Sequence, residues 1–253
     1  MRIVLAGTGN VAVVLSKKLK AAGHSIVQVY GRNHIAAAVL ADKCGASTCF
    51  SPQDITQQAD LYIIAIADKA LIAGAVQLPL KDQLVVHTAG SVSMEVLKKM
   101  SSSYGVLYPY QTIRKEVDPL PGIPFMIDAN SVAAREKLAA LAGSIASKLM
   151  VANDEQRMQY HLCAVMTVNF GNYLYVLAED FCNKHGLDFS MLLPLADETV
   201  RRMHHFSPRR VQTGPAIRKD NSTIEHHLRL LKQEPALLHL YKLFSDEMLR
   251  YPW

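Results

Sequence analysis

Short apolar runs alternate with longer amphipathic stretches over residues 1–150. The runs Arg2–Ala6, Ser25–Tyr30, Ala46–Cys49, Leu61–Ile66, Leu84–His87, Gly105–Tyr108 and Pro124–Ile127 predict strands. Those at 61–66 and 84–87 are almost continuously apolar, as strands covered on both faces should be. Helical spacing falls between them, near 11–22, 34–44, 53–58, 68–77 and 93–101, and Ser131–Lys148 reads as a closing helix. The proline-rich segment 118–124 reads as a loop. Strand–helix alternation predicts a parallel sheet with helices on both faces and right-handed crossovers.

From Val151 the strand pattern stops. Met158, Leu162, Val165, Asn169, Tyr173, Val176 and Asp180 step by three or four, predicting a first helix of about 30 residues that ends at the C-cap glycine Gly186. A second helix fits Phe189–Met203. A third starts at Ser222, with Glu225 completing a capping box, and a fourth carries Leu237, Tyr241, Phe244 and Met248. The expected organisation is an α/β domain over 1–150 and an all-α C-terminal domain over 151–253.

Composition adds limits. Half of the 253 residues are hydrophobic and 19% are charged, which excludes a disordered or collagen-like chain. The net charge of +5 suits anionic ligands without demanding nucleic acid. No apolar stretch reaches membrane-helix length, and the first residues do not read as a secretory signal, so a cytoplasmic protein is expected. Cys44, Cys49, Cys163 and Cys182 show no CxxC spacing and are expected to be reduced thiols. The histidines at 204, 205, 226, 227 and 239 match no zinc spacing, so no metal is expected. Arg201, Arg202, Arg209 and Arg210 form a basic stretch with few aromatics. It reads as a solvated face or a phosphate contact rather than a nucleic-acid module.

The chemistry starts at the first strand. Gly7-Thr8-Gly9-Asn10-Val11-Ala12 is a GxGxxA turn between a strand and a helix. Gly7 permits the tight turn, Gly9 the close approach of a pyrophosphate, and Ala12 close packing of helix on strand, while the helix-start amides bind the anion. This is the mark of a Rossmann-type dinucleotide fold. The second strand ends Val29-Tyr30-Gly31-Arg32-Asn33, without the acid that an NAD site places there. Arg32 is placed to meet a 2′-phosphate with its planar fork, so NADP is expected over NAD; the alternative is a solvated Arg.

At this point the chain resembles the bacterial two-domain NADP oxidoreductases, in which a Rossmann-like domain precedes a helical domain of unknown function. The wider group includes pyrroline-5-carboxylate reductase, ketopantoate reductase and 6-phosphogluconate dehydrogenase, and some members are labelled as deazaflavin-linked. The resemblance runs the length of the chain, through IVLAGTGNVA at 3–12, LYIIAIADKAL at 61–71, VVHTAGS at 85–91, GVLYPYQT at 105–112 and QTGPAIRKD at 212–220. It implies a nicotinamide cofactor, a small-molecule substrate in a cleft between the domains, and a homodimer through the helical domain. It also implies that Ile66, Ala67 and Asp68 border the cofactor's ribose and nicotinamide, and that the Pro109 turn lies near the nicotinamide. Asp68 reads equally as a helix N-cap.

Hydride transfer needs a positioned acceptor and a proton donor. His87, at a strand end beside Thr88 and Ser91, is a ligand-facing candidate or a hydrogen-bonded turn residue. His161 and Asn169, eight apart on the first long helix, can donate a proton and polarise a carbonyl, or His161 can be a satisfied core histidine. Lys219, after the Gly214-Pro215 turn, faces a cleft or is plain surface charge. The expected activity is NADP-linked reduction of C=O or C=N. A non-catalytic dinucleotide-binding sensor or scaffold is the rival, and a deazaflavin-linked reductase the third reading.

Overall fold

The computed structural model describes residues 1–117 and 120–253. The predicted loop at 118–124 thus lies partly outside the described residues. Two compact units divide the chain, Met1–Ala164 and Val165–Trp253.

The first unit is built on one sheet of eight strands. These are β1 (Arg2–Ala6), β2 (Ser25–Tyr30), β3 (Ser47–Cys49), β4 (Leu61–Ile64), β5 (Leu84–His87), β6 (Tyr104–Pro109), β7 (Pro124–Ala129) and β8 (Lys148–Val151). They lie in the order β3-β2-β1-β4-β5-β6-β7-β8. Every neighbouring pair is parallel except β6–β7. The connections α1 (Asn10–Ala21), α2 (His34–Cys44), α3 (Asp68–Ile72) and α4 (Val132–Ile145) are helical. Alternate strand residues go to opposite faces. Ile3, Leu5, Val29, Ile63, Val86 and Leu107 pack with Leu15 and Leu19 of α1 and Leu138 of α4. Val4, Tyr62, Ile64 and Val85 pack on the other face with Leu71, Leu97 and Met100. The strand order turns outward in both directions from β1 and β4, the place where such sheets hold ligands beyond their carboxyl ends.

Several expectations need correction. The helices expected at 53–58 and 93–101 are single 3₁₀ turns, Pro52–Asp54 and Met94–Leu97, and that at 68–77 stops at Ile72. The closing helix ends at Ile145 rather than Lys148, because the chain turns extended at Ala146 and enters β8. This strand, Lys148-Leu149-Met150-Val151, pairs only with β7 and is largely exposed.

The second unit is helical: α6 (Phe170–His185), α7 (Leu193–Met203), α8 (Pro208–Val211), α9 (Asn221–Leu230) and α10 (Pro235–Arg250). The predicted long helix is helical throughout Asp154–His185, as α5 (Asp154–Ala164) of the first unit, a π turn at Val165–Asn169 and α6. Gly186 ends α6 in the left-handed conformation, as expected. The cap of α9 is not Ser222: Asp220 accepts from the Thr223 amide, and an Asp two positions earlier displaces the Ser–Glu box. Only Cys182, Ala216 and Ser245 of this unit are buried, while Met166, Phe170 and Tyr173 are 58%, 57% and 52% exposed. No described helix is long and apolar enough to cross a membrane.

Candidate functional site

The turn from β1 to α1 forms a cradle. Gly7 has φ +132°, and a Cβ there would lie 2.1 Å from the Ala65 carbonyl oxygen. Two backbones meet where no side chain fits. Gly9 caps α1 without a side-chain acceptor, so the first amides of the helix have neither a helical nor a capping partner. They and the helix dipole suit an anion. Ala12 is fully buried against the sheet, the role the motif assigned it.

A cleft of about 560 Å³ runs from this cradle across the strand ends. Gly7, Thr8 and Gly9 line its middle, Gly31, Arg32 and Asn33 one flank, and Ala65, Ile66 and Ala67 the other. A Cβ on Gly31 would meet the Thr8 side chain at 2.7 Å, so the flank is shaped by the lack of one. Asn33 caps α2 by accepting from the Ala36 amide. Asn10 donates to the Ile113 carbonyl at 3.2 Å and ties the helix start to the loop after β6. Val11 is half-buried against the core. A cleft with an anion cradle at its centre and a guanidinium among the residues of one flank suits a phosphate-bearing ligand.

Beyond the Ile66–Ala67 flank lies a polar cluster. Asp68 is not the cap of α3, which is Ala67; it accepts a short hydrogen bond from Ser91 after β5. His87 closes β5 with 0% exposure, and its Nδ1 accepts from the Ala89 amide at 3.2 Å. Burial, reinforced by the Arg157 charge, pushes its pKa down to about 4, against partial opposition from the Ser93 backbone, Asp154 and Asp68. It is therefore neutral at pH 7. Arg157 of α5 is 1% exposed, and its Nη2 donates to the Val92 carbonyl and to Asp154 at 2.8 Å. Burial alone would raise the Asp154 carboxyl, but hydrogen bonds with Ser93 and Arg157 outweigh it and hold the pKa low.

Tyr108, beside the buried Pro109 at the end of β6, lies against Gly90. Its hydroxyl is 3.2 Å from Nδ1 of His161. Burial first, then the Tyr110 and Asp68 charges, pushes the phenol up to about 12, with Arg157 opposing. Tyr110 packs edge-on to Tyr160 and donates to the Tyr160 carbonyl.

Sequence reasoning named His87 and His161 but missed Tyr108 and Arg157. The GVLYPYQT stretch carried Tyr108, though only its proline turn drew notice. Asn169 lies in the π turn of the second unit and Lys219 in the turn before α9. Lys219 has φ +54°, a left-handed conformation uncommon outside glycine, and both residues are exposed. Among the described residues no group of three or more His, Cys, Asp or Glu could hold a metal.

The family described as NADP oxidoreductase, coenzyme F420-dependent, matches residues 2–90, and a domain of unknown function, DUF2520, matches residues 123–248. No curated protein matches. A solved structure from Bacteroides fragilis, provisionally named an NADP oxidoreductase, is 40% identical, with a TM-score of 0.89 over 99% of this chain and 98% of its own. Pyrroline-5-carboxylate reductase of Streptococcus pyogenes shares the fold at 16% identity and TM-score 0.61, with 99% of each chain covered. An imine reductase of Myxococcus stipitatus, solved with NADP+, shares it at 13% identity and TM-score 0.66, covering 98% of this chain and 93% of its own. The chain belongs to the family of the Bacteroides fragilis protein, in which an NADP-oxidoreductase-type Rossmann domain is followed by a DUF2520 domain.

Proposed function

We propose that this protein is an NADPH-dependent reductase of a C=O or C=N bond in a small molecule. The observation that carries the reading is the cleft that joins the β1–α1 cradle to Arg32. Thr8, Gly9, Asn10 and Val11 hold the diphosphate through backbone amides. Arg32 grips the 2′-phosphate, and Asn33 shapes that flank by fixing the start of α2. Ile66 and Ala67 border the reactive end, with Asp68 and Pro109 behind them. When bound, NADPH supplies a hydride. The protein must then orient the acceptor and give its heteroatom a proton. His161 is our donor-side candidate; His87, sealed and neutral, holds the turn that shapes the site. Asn169 and Lys219 are the helical unit's candidates for binding the acceptor. We also propose that a second copy covers the helical unit, and that the protein works in the cytoplasm.

Titration calorimetry tests the cofactor. NADPH is expected to bind at least tenfold more tightly than NADH, and Arg32→Glu to remove that preference while sparing NADH. Equal affinities in the wild type would refute the assignment to NADP. The family description favours one second reading, hydride exchange with a deazaflavin. That reading requires NADPH oxidation with coenzyme F420 as acceptor.

A further inference from the structure

An unbroken series of contacts leads from the cleft wall to Tyr108. Ile66 and Ala67 line the cleft, and Asp68 follows them and is bonded to Ser91. Gly90, the neighbour of Ser91, has the Tyr108 ring against it: a Cβ at position 90 would fall 2.5 Å from Cζ and 2.8 Å from the hydroxyl oxygen. The tip of the phenol therefore occupies the space that the missing side chain leaves. Its position is fixed from the other side by the hydrogen bond with His161 and by edge-on contact between the two rings, whose centroids are 6.4 Å apart. All these residues belong to the first unit. Strands in a sheet lie about 4.8 Å apart, so the end of β6 is about two strand spacings from the end of β4. With the 2′-phosphate on Arg32 at the β2 flank, the opposite, reactive end of a dinucleotide would lie toward the Ile66–Ala67 flank.

The other titratable groups are less suited to proton delivery. His87 is sealed and has no exposed atom to offer. Arg157 bonds Val92 and Asp154 through Nη2 alone, its Nε and Nη1 being buried without a partner, but a guanidinium does not give up its proton. Asp68 is occupied by Ser91. Tyr108 and His161 are both half-buried, so one can face a ligand while the other exchanges protons with water.

We propose that Tyr108 is the catalytic acid of this site and that His161 acts through it, as the residue that orients the phenol and restores its proton. This rests on the reductase reading above. As the hydride adds to the acceptor carbon, the π pair of the C=O or C=N bond moves to the heteroatom. The heteroatom takes the proton of the Tyr108 hydroxyl. The phenolate recovers a proton from Nδ1 of the His161 imidazolium, and the imidazole is reprotonated from water. One hydride and one proton are consumed, giving an alcohol or an amine. The groups acting on Tyr108 are Asp68 and Tyr110, which disfavour the phenolate, and Arg157, which favours it.

The test uses full-length protein saturated with NADPH, with 1-pyrroline and glyoxylate as probes. Tyr108→Phe keeps the ring against Gly90 and removes only the hydroxyl. It is expected to bind NADPH within twofold of wild type and to lower kcat about 100-fold, with KM little changed. His161→Gln is expected to lower kcat by about tenfold, since phenol reprotonation slows while the acid itself remains. A Tyr108→Phe protein within threefold of the wild-type kcat overturns the proposal. A second measurement needs no turnover: in ¹⁵N-histidine spectra, Tyr108→Phe is expected to move the His161 Nδ1 resonance, and an unmoved resonance also overturns it. Wild type that fails to bind NADPH would instead overturn the cofactor reading, and calorimetry distinguishes that failure from this one.

Discussion

A methyl group at position 7 has nowhere to go. The Ala65 carbonyl stands 2.1 Å from where it would be, and φ of +132° is outside the range that L side chains tolerate. Gly7→Ala is expected to push β1 and β4 apart at their ends and weaken NADPH binding at least tenfold, as calorimetry would read. His87 ties stability to pH. Its folded pKa of about 4 lies below the ordinary histidine value of about 6.5. Between those values the unfolded chain binds a proton that the folded one refuses. The contribution is fully present above pH 6.5 and is lost as the pH falls toward 4, up to about 3 kcal/mol. Urea unfolding at pH 7 and pH 5 should show this loss, and His87→Asn should flatten that dependence. Gly7, Gly9, Ala12 and Arg32 could be read from the sequence because a local spacing fixes their environment. Arg157 could not. Within Asp154-Glu155-Gln156-Arg157 it looks solvated, and its burial depends on Val92, 65 positions away.

At the scale of elements, α5 is fastened to the loop after β5 by that arginine. Arg157→Leu removes the bond to the Val92 carbonyl and leaves Asp154 without its cation. A loss of about 2–3 kcal/mol is expected, measured by denaturant unfolding, with most of the cost in the loop rather than in the partly hydrated Asp154. The variant should also raise the proton affinity of His87, since the Arg157 charge helps to depress it. Six of the strands were legible because their apolar runs are buried; β3, Ser47-Thr48-Cys49, is a short edge strand with two exposed residues. β8 was not legible, because its apolar residues Leu149-Met150-Val151 directly follow the helical pattern of 131–148. The π turn at 165–169 escaped detection for a related reason. One extra residue per turn shifts a periodic stripe without erasing it. The capping box at Ser222 was overridden by Asp220, a stronger local acceptor two positions earlier.

At the scale of the whole molecule, the Rossmann-type unit has a core on each sheet face and the helical unit has almost none of its own. Amphipathic helices whose apolar side chains stay exposed belong inside a larger assembly. A light-scattering mass of twice the chain mass is expected at micromolar concentration; a single-chain mass would refute the dimer. The sparse packing of the helical segment has one more consequence. If copies supply each other's interior, folding and pairing become one reaction, and the thermal midpoint should climb as the protein is concentrated. Dilution would then unmake the α6–α10 region at temperatures the Rossmann-type unit survives.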